Sequence, residues 1–129
     1  MKKIIILFVI IIVSLCAYLS IYYFSVNDVS NVKLSGYVYD NNNKTPLKNV
    51  LIIINNERYE DDKGNKNYDE YLGNDKIRIY SNDQGYYSTI IKKSAFVRLS
   101  FQKDGYVFKT EDGQYSSKKM EYETYLMPN

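Results

Sequence analysis

The chain has 129 residues, which suffices for one membrane-length segment and one domain of about a hundred residues. It contains 17 basic and 15 acidic residues, and because Lys2 and Lys3 precede an apolar N-terminal run, everything after that run is formally neutral. A neutral domain without a basic stripe lacks the usual electrostatic attraction for nucleic acid or anionic lipid headgroups, so we exclude both as main partners. The sequence has no His and one Cys, which excludes an internal disulfide and a Cys/His zinc site and removes the commonest general base. We therefore expect a non-enzymatic protein without a cofactor.

Residues 4–24 form an uncharged, strongly apolar run of 21 residues. A helix of that length, at about 1.5 Å per residue, matches the roughly 30 Å hydrocarbon core of a bilayer. The Lys pair before the run, and the absence of Lys or Arg after it until Lys33, predict a cytoplasmic N-terminus and a domain on the extracytoplasmic side. We expect a membrane anchor over residues 1–24, a linker over 25–33 and a domain over 34–129.

Two alternatives to an uncleaved anchor remain open for this segment. A cleavable signal peptide requires small residues before the cut, and the positions around Cys16 and Ala17 fit that requirement poorly. A lipoprotein signal is the other alternative, because residues 13–16 (Val-Ser-Leu-Cys) resemble a lipobox with Cys16 as the lipidated residue, although Leu15 departs from the usual small residue. All three readings place the domain outside the cytoplasm.

From residue 34 onward, short stretches with period-2 alternation are separated by turn residues such as Gly85 and Gly105. The pattern predicts seven strands, at residues 34–39, 50–54, 77–80, 86–91, 96–102, 106–108 and 119–126. Seven short strands without an amphipathic helix are typical of an all-β, antiparallel sandwich. Two strands have clear core faces: Val97, Leu99 and Phe101 in one, and Met120, Tyr122, Thr124 and Leu126 in the other. Residues 55–76 are expected to form a long loop.

Four short motifs occur in order: residues 34–40 (Leu-Ser-Gly-Tyr-Val-Tyr-Asp), 45–50 (Thr-Pro-Leu-Lys-Asn-Val), 81–88 (Ser-Asn-Asp-Gln-Gly-Tyr-Tyr-Ser) and 101–106 (Phe-Gln-Lys-Asp-Gly-Tyr). Together they resemble the carboxypeptidase regulatory-like family over about residues 34–126. The resemblance implies a seven-stranded transthyretin-like (prealbumin-like) sandwich. Members of that family serve as accessory domains beside peptidases, in surface and transport proteins and as stand-alone modules, so the resemblance implies no catalytic residues.

Tyrosines are the first candidates for a binding site. Tyr37 and Tyr39 share one face of the first predicted strand, and we expect Tyr80, Tyr86 and Tyr87 to lie nearby in the third and fourth. A Tyr ring offers a flat apolar face and a hydroxyl, which suits peptide or sugar surfaces. The alternative is that some of these rings fill the core and that the Tyr excess reflects AT-rich codons.

A loop with five carboxylates is the second candidate. Asp61, Asp62, Asp69, Glu70 and Asp75 would suit Ca²⁺, which takes six to eight oxygen ligands. Interspersed lysines and the lack of EF-hand spacing favour a solvated loop, so we predict no metal site.

Two functional hypotheses follow. The first is a membrane-tethered module, held by residues 4–24, that binds or assembles with another envelope protein. The second is a module that binds a glycan or peptide through its tyrosines. A flat edge strand without protective charges would favour the first, and a concave patch of three or more Tyr would favour the second.

Overall fold

The structure is a computed structural model that describes residues 1–25, 27–67 and 69–129. In these described residues, one helix, α1 (Lys2–Ser25), precedes eight strands. The strands are β1 (Val29–Asp40), β2 (Leu51–Arg58), β3 (Gly73–Tyr80), β4 (Tyr86–Ser94), β5 (Phe96–Gln102), β6 (Lys109–Thr110), β7 (Gln114–Tyr115) and β8 (Lys119–Leu126). Within α1, the segment Lys2–Tyr22 is long and apolar enough to cross a membrane, and none of it is buried against the strands.

The strands form two sheets that face each other as a β-sandwich. One has the order β4-β1-β8, and the other has the order β3-β2-β5-β6, with β7 also pairing with β5. The sandwich prediction is confirmed, with eight strands in place of seven. One pairing differs from the expected antiparallel arrangement, because β1 and β8 run parallel, with Gly36 beside Tyr122 and Tyr39 beside Tyr125. Strands β2 to β7 lie between β1 and β8 in the chain, so no hairpin joins these two strands and a parallel pairing is possible.

The core lies between the sheets and follows the period-2 pattern of the sequence. Val97, Leu99 and Phe101 are fully buried, as predicted for β5. On β8, Met120, Thr124 and Leu126 are buried and Tyr122 packs against the core, as the alternation predicted. In the run before and within β2, Val50, Ile52 and Ile54 are all fully buried, whereas Leu51 and Ile53 are half-buried.

Three segments differ from the sequence-based expectation. β1 begins at Val29, so the second half of the expected linker is strand, and Val29 pairs with Ser94 of β4. β2 extends to Arg58 and β3 begins at Gly73, which shortens the expected loop because residues 55–58 pair with 73–76. The expected strand at 106–108 is absent: Tyr106 makes a single bridge to Pro128, and the strands that follow β5 lie further on.

Two glycines are required by the fold, one at a turn and one at a close packing contact. Gly85 has φ 72°, the positive value expected of its turn before β4. Gly36 on β1 faces the core beside Tyr87, where a Cβ atom would lie 2.6 Å from the ring carbon Cζ and 2.8 Å from the Tyr122 carbonyl oxygen. Only glycine leaves room there for the Tyr87 ring, which accounts for glycine inside a strand.

Hydrogen bonds involving an aspartate close each end of the sandwich. At the end where β1 starts, which we call the helix-proximal end, Asp28 accepts bonds from the backbone N–H groups of Tyr59 (2.8 Å) and Glu60 (3.2 Å). At the opposite, helix-distal end, the Tyr106 hydroxyl donates to Asp40 Oδ2 at 2.7 Å. That bond is the first cause of a lowered pKa of the Asp40 carboxyl, with backbone N–H donors from the following turn adding to it.

Candidate functional site

Four tyrosines line up across the outer face of the β4-β1-β8 sheet. Alternate residues of β1 fill the core, so Tyr37 and Tyr39 point away from it. The pairing places Tyr86 opposite Tyr37 and Tyr125 beside Tyr39. Ring centroids are 5.1 Å apart for Tyr37–Tyr86, 6.1 Å for Tyr37–Tyr39 and 5.4 Å for Tyr39–Tyr125. The last two pairs are stacked, and these separations fall in the range of favourable aromatic contacts.

A groove of about 500 Å³ runs beside this row of rings. We call it the tyrosine groove; its lining residues are Ser35, Gly36, Tyr37, Tyr39, Tyr86, Glu121, Tyr122 and Glu123. The small side chain of Ser35 and the backbone of Gly36 lie between the larger groups, so the surface is concave there. Its volume lies within the range of small-ligand pockets, roughly 300–1,000 Å³.

The walls of the tyrosine groove differ in charge. Rings from β1 and β4 form one side, and the carboxylates of Glu121 and Glu123 on β8 form the other. The Tyr125 hydroxyl donates to Glu123, and this bond, with some burial, raises the pKa of Tyr125. Lys44 Nζ lies 4.6 Å from the centroid of the Tyr125 ring, a cation–π contact at the helix-distal end of the row. In such a groove the Tyr rings can pack against a ligand while the Glu carboxylates accept hydrogen bonds from it.

Of the five tyrosines proposed from the sequence, three belong to this site and two do not. Tyr37, Tyr39 and Tyr86 line the tyrosine groove. Tyr87 is only 2% exposed, so the alternative that some of these rings fill the core holds for it: Tyr87 lies opposite Gly36 and fills the space that glycine leaves. Tyr80 is 64% exposed but lies on β3, in the other sheet, so it is not near the row.

Sequence reasoning missed Tyr125. The alternation in residues 119–126 already assigned Met120, Tyr122, Thr124 and Leu126 to the core, which leaves Tyr125 on the solvent face. Only the parallel pairing of β8 with β1 brings that face next to Tyr39. The local alternation therefore predicts that Tyr125 faces solvent, but it cannot predict which strand lies beside it.

The five carboxylates proposed for the β2–β3 loop do not converge. Asp62 and Asp75 both bind Arg58, at 3.0 and 2.8 Å, and Asp61 accepts backbone bonds from Lys63 and Asn65. Asp69 and Glu70 are exposed. Burial opposes the charge of Arg58, but the bonds to Asp62 and Asp75 outweigh it and raise the pKa of its guanidinium. Among the described residues, no three carboxylates, Cys or His side chains lie close enough to hold a metal ion.

Cys16 lies within α1 as a free, exposed thiol. Its backbone carbonyl accepts a bond from the Ser20 hydroxyl at 2.8 Å, an ordinary contact inside an apolar helix. Lipidation of Cys16 and cleavage of the segment remain the two alternatives to an uncleaved anchor.

Comparison with known proteins shows the fold alone. No family model matches the chain, and no curated protein matches it. One solved structure of similar fold is catechol 1,2-dioxygenase from Acinetobacter sp. ADP1, with a TM-score of 0.56 and 12% identity over 77% of this chain and 53% of that one. Another is 3-chlorocatechol 1,2-dioxygenase from Rhodococcus opacus 1CP, with a TM-score of 0.54 and 15% identity over 79% of this chain and 61% of that one. The pilus 2b backbone protein of group B streptococcus is also similar (TM-score 0.50, 12% identity, 76% and 41%).

The chain thus spans between two fifths and about three fifths of the length of these proteins. The similarity supports the β-sandwich fold that the strand pattern predicted. Membership in the carboxypeptidase regulatory-like family stays a prediction.

Proposed function

We propose that the chain is a membrane-anchored, extracytoplasmic module that does not catalyse a reaction and that recognises another molecule of the cell envelope through the tyrosine groove. The length and apolar composition of α1, the exposure of its segment Lys2–Tyr22 and the Lys pair at its start support the anchor. Since the first strand begins at Val29, four residues after the end of the helix, such an anchor would hold the sandwich close to the membrane.

The observation that carries the proposal is the concave arrangement of Tyr37, Tyr39 and Tyr86 beside two glutamates. The side chain of Tyr37 is 43% exposed, so no neighbouring element among the described residues covers this part of the three-stranded sheet. Aromatic rings left accessible in a concave surface are typical of recognition sites, because they bury a large apolar area at low conformational cost.

The partner that fits best is an extended segment of another envelope protein. A groove that runs along a sheet accepts an extended chain, and Glu121 and Glu123 favour one that carries Lys or Arg. Strand addition to a sheet edge is less favoured, because exposed charges stand on the edge strands, at Lys76 and Arg78 on β3 and at Lys119 on β8.

A glycan is the second candidate, and the stacked pair Tyr37–Tyr39 favours it. The two rings are parallel to within 10°, and the apolar face of a sugar ring can pack against them while the hydroxyl groups of the sugar donate to Glu121 or Glu123. A glycan and a peptide would use the same groove, so binding assays must separate them.

The test is crosslinking in intact cells, followed by detergent extraction, capture through a C-terminal tag and mass spectrometry. We expect one envelope protein to be recovered in stoichiometric amounts with the native chain and to be lost with Tyr37→Ala. Tyr80→Ala is the matched control, because Tyr80 is also an exposed strand tyrosine but lies on the other sheet.

Equal recovery with both variants would refute the groove as the contact surface. Recovery of the chain alone would reject the protein partner and favour the glycan. Binding of the detergent-solubilised chain to an array of envelope glycans, lost with Tyr37→Ala and kept with Tyr80→Ala, would then be expected.

A further inference from the structure

A second aromatic cluster lies at the helix-proximal end of the sandwich. Tyr59, Tyr71, Phe96 and Tyr115 form a continuous row, with centroid distances of 5.1 Å for Tyr59–Tyr71, 6.2 Å for Tyr71–Phe96 and 5.7 Å for Phe96–Tyr115. Tyr115 is 78% exposed, and Tyr71 is also exposed. The exposed Leu72 adjoins Tyr71 in the chain, so this end offers solvent an apolar surface of several large side chains.

The position of this cluster is set by contacts with the residues that follow α1. The carboxylate of Asp28 binds the backbone N–H of Tyr59, so the row of rings starts at a residue bonded directly to the chain that leaves the helix. From the other side, Lys118 Nζ donates to the backbone carbonyl of Ser30 at 2.9 Å, which fixes the segment just after Tyr115 to the start of β1.

The covalent connection keeps this end near the end of the helix. Helix α1 ends at Ser25, and Asp28 is three residues further on. Three residues span at most about 11 Å, at roughly 3.6 Å each. The polar layer of a bilayer is about 5–8 Å thick on each side, since the whole membrane measures about 40–45 Å and its core about 30 Å. A domain held on such a short connection reaches the lipid headgroups.

We propose that the aromatic cluster at the helix-proximal end rests on the outer interface of the membrane, with Tyr115, Tyr71 and Leu72 in contact with the lipid headgroup layer. The proposal depends on the membrane anchoring proposed above. Tyrosine is enriched at that depth because its ring is apolar and its hydroxyl can bond to water and headgroups.

The contact is aromatic and not electrostatic. Residues 60–70 contain five carboxylates and only two lysines, so the β2–β3 loop offers no basic patch to anionic lipid. Zwitterionic phosphatidylcholine is therefore a sufficient partner. This agrees with the expectation, from the neutral charge of the domain, that anionic headgroups are not its main partners.

The docking would also orient the tyrosine groove. Tyr37 is eight residues beyond Val29 on β1, which corresponds to about 26 Å along a strand at roughly 3.3 Å per residue. With the helix-proximal end on the bilayer, the tyrosine row is held toward the opposite, outward-facing end of the domain, where it is accessible to another envelope molecule.

Tryptophan fluorescence of the full chain in phosphatidylcholine vesicles tests this proposal, because the native sequence contains no Trp. Three single-Trp variants are needed, with a nitroxide quencher attached to the lipid headgroup or to the upper acyl chain. Tyr115→Trp reports on the proposed contact, Tyr80→Trp is a matched exposed site far from it, and Leu15→Trp reports on insertion of the helix. The side chains at all three positions are exposed in the isolated chain, so each variant is expected to fold.

We expect Tyr115→Trp to shift its emission to shorter wavelength and to lose intensity with the quencher, while Tyr80→Trp does neither. Identical behaviour of these two variants, with Leu15→Trp quenched, would overturn the docking and leave the anchor intact. An unquenched Leu15→Trp would instead show that the helix is outside the bilayer, which would reject the anchor and the docking together.

Discussion

The hydroxyl of Tyr87 offers a sharp test of the packing between the sheets. This side chain is 2% exposed, and its Oη atom has no hydrogen-bond partner among the described residues. Burial raises the pKa of Tyr87, as expected for a phenol that has lost water and gained no acceptor. The substitution Tyr87→Phe keeps the ring that packs against Phe101, at a centroid distance of 6.0 Å, and removes only the unpaired group.

We expect Tyr87→Phe to stabilise the domain. A buried polar group without a partner costs about 1–3 kcal/mol, so its removal should raise the free energy of unfolding by about 1 kcal/mol. In a domain of about a hundred residues this corresponds to a rise in Tm of roughly 4 °C. The assay is thermal unfolding of the full chain in detergent, followed by circular dichroism in the tyrosine region.

Tyr106→Phe is the matched control, because it makes the same chemical change at a hydroxyl that has a partner. Tyr106 donates to Asp40 at 2.7 Å, so its loss should lower the Tm. A Tm that falls in Tyr87→Phe as it does in Tyr106→Phe would refute the reasoning and would show that the Tyr87 hydroxyl binds a buried water.

Three further predictions concern stability. Gly36→Ala should lower the free energy of unfolding by about 1–3 kcal/mol, because its Cβ would overlap Tyr87, and part of that loss should be recovered in the double variant Gly36→Ala/Tyr87→Phe, measured by urea unfolding. Ile54→Ala should cost about 2–5 kcal/mol in the same assay, since Ile54 is fully buried; a loss below 1 kcal/mol would mean that the core is not packed as described. The pKa of Asp40 lies below its usual 3.8, so the stability that its carboxylate contributes is present above that value and is lost as pH falls through the lowered pKa. Asp40→Asn should therefore weaken the pH dependence of Tm between about pH 5 and 2. An unchanged slope of Tm against pH would contradict the role of the Tyr106 bond.

Local patterns determined a large part of this structure. The alternation in β5 and β8 identified the inward residues correctly, because a side chain in a strand points to the face opposite to that of its neighbour, whatever lies around it. The long uncharged run indicated a helix for a similar reason, since its composition satisfies the length and polarity conditions without reference to the rest of the chain.

The candidate site was only half predictable. Tyr37 and Tyr39 are two residues apart on one strand, so their shared face follows from the sequence. The fate of Tyr87 depended on its neighbour across the sheet, because the space above Gly36 accommodates its ring. The same applies to the aromatic cluster at the helix-proximal end, whose members come from three separate segments of the chain.

The sequence by itself determined the central parts of six strands (β1 to β5 and β8), the apolar faces of those strands and the apolar helix that precedes the domain. The tertiary structure alone decided that β8 lies parallel to β1, that Tyr125 joins the tyrosine row, and that Tyr80 is placed on the opposite sheet. The physical reason is that alternation and turn residues act over a few positions, whereas strand order depends on which distant segments together bury the apolar faces best.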